Sequence, residues 1–202
     1  MRIEPGSKSQ IGWGDGHWIF LDIGFANQAR TCGLLFGDAT PEVVQFGEAT
    51  CQIVSRIKNW KQTNLVIEAP LSVCFDLKGN PKGRLIEQRE GDKTSRYWYI
   101  GPGCVVMVAA MYLVRLIFDA ESDGRVHLFE GFVSFKDRSV RSDHKQDVCA
   151  LRKVVRDPAE FSDSIYSPEQ LNDSNDSLYS AFRVAGLDCG VPVVIKAIPE
   201  GD

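Results

Sequence analysis

No stretch of about 18 or more apolar residues runs without a charge, so the sequence offers no membrane-spanning helix. The longest apolar stretch, residues 100–118, is broken by Gly101, Pro102, Gly103 and Arg115 and reads as a buried helix. The six cysteines, Cys32, Cys51, Cys74, Cys104, Cys149 and Cys189, are scattered, without the close pairs that zinc or dithiol sites need. They are expected to be reduced thiols in core positions, which suits a cytoplasmic chain. No Gly-x-x-x-x-Gly-Lys-Ser/Thr loop occurs, so P-loop nucleotide chemistry is excluded. Gly-x-Ser-x-Gly is also missing, and no nucleophile motif stands beside His17, His127 or His144, which disfavours Ser-His or Cys-His hydrolysis. The first residues are polar and glycine-rich, so no secretory leader is expected. Internal repeats and low-complexity segments are absent as well.

What is present suits one domain. A chain of 202 residues, 44% hydrophobic and 25% charged, can bury a sizeable core. Its formal charge of −4 neither favours nor excludes a nucleic-acid partner, because a local basic face would be hidden in the sum. Residues 1–16, with Pro5, Gly6, Gly12, Gly14 and Gly16, read as an N-terminal arm, and residues 17–202 as a single domain. Three short β-rich segments, 17–23, 29–36 and 42–46, separated by turn residues, predict an antiparallel meander. Ile53, Val54, Ile57 and Trp60 fall at helical spacing over 47–61. Residues 64–68, apolar until Glu68, read as a buried parallel strand. Residues 71–98 are polar and predict a long loop. Beyond it come the helix at 102–118, a strand over 125–135, a surface helix over 144–155, a loop over 162–177 leading to a last helix near Gly186, and an edge strand over 191–196. That order predicts an α/β fold with a mixed sheet, three antiparallel strands followed by parallel ones, flanked by helices.

Three groups of carboxylates stand at element ends. Asp22 closes the first strand of the meander ahead of Gly24; read singly, it is more often a turn-former than a ligand. Glu68 ends an apolar strand, where a carboxylate must find a metal, a cation or water. Asp173 and Asp176 lie three residues apart at the expected start of the last helix, on one face, although capping alone explains acids there. Together they could supply the hard oxygen ligands that divalent ions need for phosphodiester hydrolysis.

In these motifs the chain resembles the RNase H-like superfamily, particularly RuvC-type resolvases and related bacterial nucleases. Leu21-Asp-Ile-Gly24 is similar to that family's first-strand aspartate and glycine, Ile67-Glu68 to its fourth-strand glutamate, and Asp173-Ser-Asn-Asp176-Ser-Leu178 to its closing acidic pair before an apolar helix. Residues 103–113 resemble the central helix and 126–130 the fifth strand, so the likeness spans residues 17–186. It implies an RNase H-like five-stranded mixed sheet and a Mg²⁺- or Mn²⁺-dependent nuclease. Asp22, Glu68, Asp173 and Asp176 would then be its catalytic and metal-binding residues. A nucleic-acid partner, no membrane and a chain that admits a homodimer go with that reading.

Glu130 could add a ligand but is preferred as a polar strand position. Lys136, Arg138 and Arg141, with Lys145, are candidates for phosphate contact, as are Lys78, Lys82, Arg84, Arg89, Lys93 and Arg96 on the long loop; either set is more often solvated surface. Tyr97, Trp98 and Tyr99 read as core rather than a stacking platform. Two other classes stay open. Asp22-Ile-Gly24 with Arg30-Thr-Cys-Gly33 also resembles the phosphate-binding hairpin of actin-like and sugar-kinase ATPases, although no second such hairpin follows. A non-catalytic RNase H-like binding module would use the same carboxylates as caps and turn residues.

Overall fold

Alternation along the strands decides which side chains face which helices. The computed structural model describes residues 1–14, 16–24, 31–87, 102–133, 143–184 and 186–199. Strand β1, Arg2–Pro5, is followed by the antiparallel meander β2 (His17–Ile23), β3 (Thr31–Phe36) and β4 (Glu42–Gln45). Helix α1 (Phe46–Asn59) then leads to β5 (Gln62–Glu68), which pairs in parallel with β2. A hairpin of β6 (Ser72–Phe75) and β7 (Pro81–Lys82) precedes helix α2 (Pro102–Asp119) and strand β8 (Arg125–Val133), itself parallel to β5. Helix α3 (His144–Arg156), the two-residue strand β9 (Ile165–Tyr166), β10 (Ser177–Ser180), the single turn α4 (Ala181–Val184) and β11 (Val194–Ala197) complete the order.

The molecule is α/β, with a mixed sheet flanked by helices, as the element order predicts. The main sheet has eight strands rather than five, in the order β4-β3-β2-β5-β8-β11-β9, with β1 also paired to β8. Two strands, β1 and β9, were not expected there. Residues 2–5, within the stretch read as an arm, lie parallel to the first half of β8, and β11 lies parallel to its second half. The strand read as an edge is therefore interior, with β9 outside it. The polar stretch read as a long loop contains strands as well: β6 and β7 join β10 in a second, three-stranded sheet; residues 88–98 lie outside the described residues. The expected last helix is replaced by β10 and the one-turn α4, because residues 177–180 pair with β6.

Odd-numbered β2 residues Ile19, Leu21 and Ile23 pack with Leu65, Ile67, Val126 and Leu128 beneath α1 and α2. Trp18 and Phe20 point to the opposite face, where Val66 and Phe129 meet Val148, Leu151, Val154 and Val155 of α3. This period of two places Asp22 on the α3 face. Glu68, in register with Asp22 on the parallel neighbour, emerges on that face as well. Although α2 is strongly apolar, no helix among the described residues is long and apolar enough to cross a membrane. Cys32, Cys74 and Cys189 are buried, whereas Cys51 and Cys104 are exposed and Cys149 is half-buried, so the core expectation holds for three thiols.

At the other end of the sheet His127 is buried between Asn64 and Gln10. Gln10 uses its Oε1 to accept from the Ser7 main-chain amide at 2.8 Å, which leaves its Nε2 to donate to His127 Nε2 at 3.0 Å. His127 Nδ1 then donates to Asn64 Oδ1 at 3.1 Å, and the ring is neutral. Burial lowers its pKa, against the nearby Glu4 carboxylate, which raises it. A base with a lowered folded pKa contributes stability that is complete above its ordinary value of 6.5 and is lost as pH falls towards the folded value. The melting temperature is therefore expected to fall on going from pH about 7.5 to about 5.5, and less steeply in His127→Gln, as followed by circular dichroism.

Candidate metal centre

Helix α3 begins with a capping box. The Asp143 side chain accepts from the amides of Lys145 and Gln146, both at 2.9 Å, and Gln146 Oε1 accepts from the Asp143 amide at 2.8 Å. That fixed first turn presents His144 and Asp147, three residues apart, on one face towards β2. His144 Nδ1 lies 2.6 Å from Asp22 Oδ2. Asp22, His144 and Asp147 each offer a ligand atom within 4.8 Å of the others, and the two aspartates are only 3% and 4% exposed. Two buried carboxylates this close repel each other, a cost that a bound cation would offset. Two carboxylate oxygens and an imidazole nitrogen form a donor set that fits a divalent ion.

Two glycines make room for the helix. A Cβ on Gly24 would overlap the imidazole of His144, and one on Gly33 would overlap the main-chain carbonyl of the same residue. The glycines that resemble a phosphate-binding hairpin are thus occupied by His144. In Gly33→Ala the obstacle is backbone, which cannot rotate away, so the start of α3 must shift. We expect a loss of about 1–3 kcal/mol in urea unfolding. Gly47→Ala, where a Cβ meets nothing within 4 Å, is the control that should leave stability unchanged.

The structure brings together some of the residues expected from sequence and separates others. Asp22 is in the cluster. Glu68 stands beside Asp22 in parallel register and is half-buried, but it is not one of the three converging groups. Asp173 and Asp176 do approach each other, though in a turn before a strand rather than on a helix, and the cation between them is Lys82. Its Nζ donates to Asp176 Oδ2 at 2.6 Å and to Asp173 Oδ2 at 2.9 Å. The bond to Asp176, then that to Asp173, pushes the Lys82 pKa up, so the ammonium is retained. Lys136, Arg138 and Arg141 lie outside the described residues, as do Arg89, Lys93, Arg96 and Tyr97, Trp98 and Tyr99.

Arg84 is not a surface cation but fully buried. Its Nη1 donates to Glu130 Oε2 at 2.8 Å and to Ser72 Oγ at 2.9 Å, while Nη2 donates to Glu87 Oε1 at 2.9 Å and sits 2.7 Å from Glu130 Oε1. The Leu71 amide also donates to Glu130 Oε2, at 2.9 Å. Glu130 is in register with Ile67, on the α1 and α2 face, so this ion pair lies across the sheet from Asp22. Burial works to lower the Arg84 pKa, but Glu130 and Glu87 outweigh it and hold the guanidinium charged. For Glu130 burial dominates and raises the pKa, with Arg84 opposing.

His144 and Asp147 were not among the expected site residues. The available signal was Asp147 itself: it shares the buried face of α3 with Val148, Leu151, Val154 and Val155, an acid on an apolar stripe. Comparison with protein-family models, with curated proteins and with solved structures gives no match.

Proposed function

We propose that the protein is a divalent-metal-dependent nuclease of RNase H-like type, with Asp22, His144 and Asp147 as the metal ligands and Glu68 beside them. The observation that carries this reading is the convergence of one imidazole and two buried carboxylates, from a strand and a helix far apart in sequence, at the C-terminal end of parallel strands. Open α/β sheets place their ligands at that end. The strands β4-β3-β2-β5-β8, three antiparallel and then two parallel, support the expected five-stranded sheet, onto which β1, β11 and β9 are added. In this reading Asp173 and Asp176 hold Lys82 and help join the small sheet; they are not part of the metal centre.

A bound Mg²⁺ or Mn²⁺ would polarise a phosphodiester and stabilise the charge that develops on the departing oxygen. The protein's own groups have simpler tasks. Asp22 orients the His144 ring at 2.6 Å, the capping box fixes Asp147, and Phe20, two residues before Asp22 on the same face, helps with α3 to keep water from the buried side of the carboxylates. Two observations weigh against a nucleotide-binding hairpin: His144 fills the space beside Gly24 and Gly33, and the Asp22 carboxylate is turned to that histidine. The test is cleavage of labelled single-stranded, duplex and branched DNA and RNA in Mn²⁺ or Mg²⁺. Cleavage lost with chelator and in Asp22→Asn supports the proposal. A chain that binds nucleic acid but cleaves none of these substrates is a non-catalytic module instead.

A further inference from the structure

Resting on that metal-centre reading, the chemistry of the ligand set narrows the ion. A centre built from carboxylates alone is oxygen-only and accommodates Mg²⁺ or Ca²⁺ readily, since both are hard cations. Here one of the three converging ligands is an imidazole, which Co²⁺ and Zn²⁺ take readily and which Mn²⁺, though mainly an oxygen binder, accepts better than the harder Mg²⁺ does. The imidazole is not a loose surface group that could swing aside. Its Nδ1 is held 2.6 Å from Asp22 Oδ2, its ring edge lies against Gly24, and its own main chain is seated on Gly33. Because Cε1 and Nε2 lie against Gly24, the nitrogen that an ion at Asp22 and Asp147 would meet is Nδ1, which would release its proton to solvent on binding.

We infer that the centre selects a first-row transition ion, of the Mn²⁺, Co²⁺ or Zn²⁺ class, over Mg²⁺, and that His144 is the residue that sets the preference. All oxygen sites favour these ions somewhat by the ordinary order of stabilities, so the informative quantity is the change in ratio when the nitrogen is removed. In His144→Asp the set becomes oxygen-only. The ratio of Mn²⁺ to Mg²⁺ affinity, and of Zn²⁺ to Mg²⁺ affinity, is expected to fall by roughly tenfold or more.

The experiment titrates Mn²⁺, Zn²⁺ and Mg²⁺ separately into the full chain and into His144→Asp by calorimetry. Pulsed electron paramagnetic resonance of Mn²⁺ bound to the wild type then looks for nitrogen coupling. That second measurement stands even if three clustered carboxylates prevent His144→Asp from folding. Nitrogen coupling in the wild type, with the fall in both ratios where the variant folds, is the result expected. Bound Mn²⁺ without nitrogen coupling, or ratios unchanged in the folded variant, overturns the role of His144 and leaves the metal centre standing. A wild type that binds none of the three ions overturns both the inference and the nuclease reading beneath it.

Discussion

Asp22→Asn is expected to fold normally and to lose metal-dependent cleavage, with a fall in rate on the order of a thousandfold or more. The substitution keeps the volume of the side chain and a hydrogen-bond acceptor for His144 Nδ1, so the seat of the ring against Gly24 is preserved. What it removes is the negative charge at the junction of strand and helix. Stabilisation of developing charge by a bound ion is worth several kcal/mol, and each 1.4 kcal/mol or so is a factor of ten, which gives the magnitude. The measurement is single-turnover cleavage in Mn²⁺, with circular dichroism and urea unfolding to establish that the variant is folded. A folded variant with the wild-type rate would remove Asp22 from the chemistry and, with it, the proposed centre. Asp173→Asn provides the contrast: its partner is Lys82, and its cleavage rate should be that of the wild type.

The largest effect on stability is expected from Arg84→Met. The methionine fills much the same volume but leaves Glu130 and Glu87 buried without their counter-charge. Breaking a buried pair from one side costs about 3–5 kcal/mol, whereas replacing all its members with apolar groups can be neutral. Adding Glu130→Gln to Arg84→Met should therefore restore part of the loss, a non-additivity that unfolding in urea can measure. The pH dependence gives an independent check. Glu130 already titrates above the ordinary glutamate range because of burial, with Arg84 opposing the shift. Without Arg84 the shift grows. A carboxyl whose folded pKa exceeds its unfolded value contributes stability that is complete below the unfolded value and is lost as pH rises through the folded value. The deficit of Arg84→Met relative to the wild type should thus widen between pH about 5 and about 8. A deficit independent of pH would place its cause in packing rather than charge.

The parts of the fold that could be read in the sequence are those with strong local periodicity. The meander of β2, β3 and β4, the amphipathic α1 and the apolar β5 and α2 each declare themselves within a few residues. Asp22 and Glu68 were legible because they interrupt apolar strands at their ends, a local conflict with burial. The run from Asn172 to Ser177 was misleading for an equally local reason. Asn, Asp and Ser favour helix starts and turns alike, and only the pairing of β10 with β6, about a hundred residues earlier, decides between them. Arg84 looked like solvent-facing charge because its partner Glu130 is distant in sequence. The contact between His144 and Asp22 was hidden in the same way, yet Asp147 on the buried stripe of α3 offered a clue that hydrophobic pattern alone can supply.

The arrangement around β8 has a bearing on how the chain reaches its native state. β1 and β11, near opposite ends of the described residues, lie end to end along the same side of β8, and the Val193 amide donates to the Gly6 carbonyl at 3.1 Å where they meet. Contacts spanning so much of the chain slow folding, because loop closure must precede any reward from pairing. During synthesis β1 has no sheet partner until β8 has emerged, and half of β8 then keeps an open hydrogen-bonding edge until β11 arrives. A ribosome-bound chain stalled before residue 194 would present that edge to other nascent chains or to chaperones, which makes the interval between β8 and β11 the period of greatest exposure to misassembly.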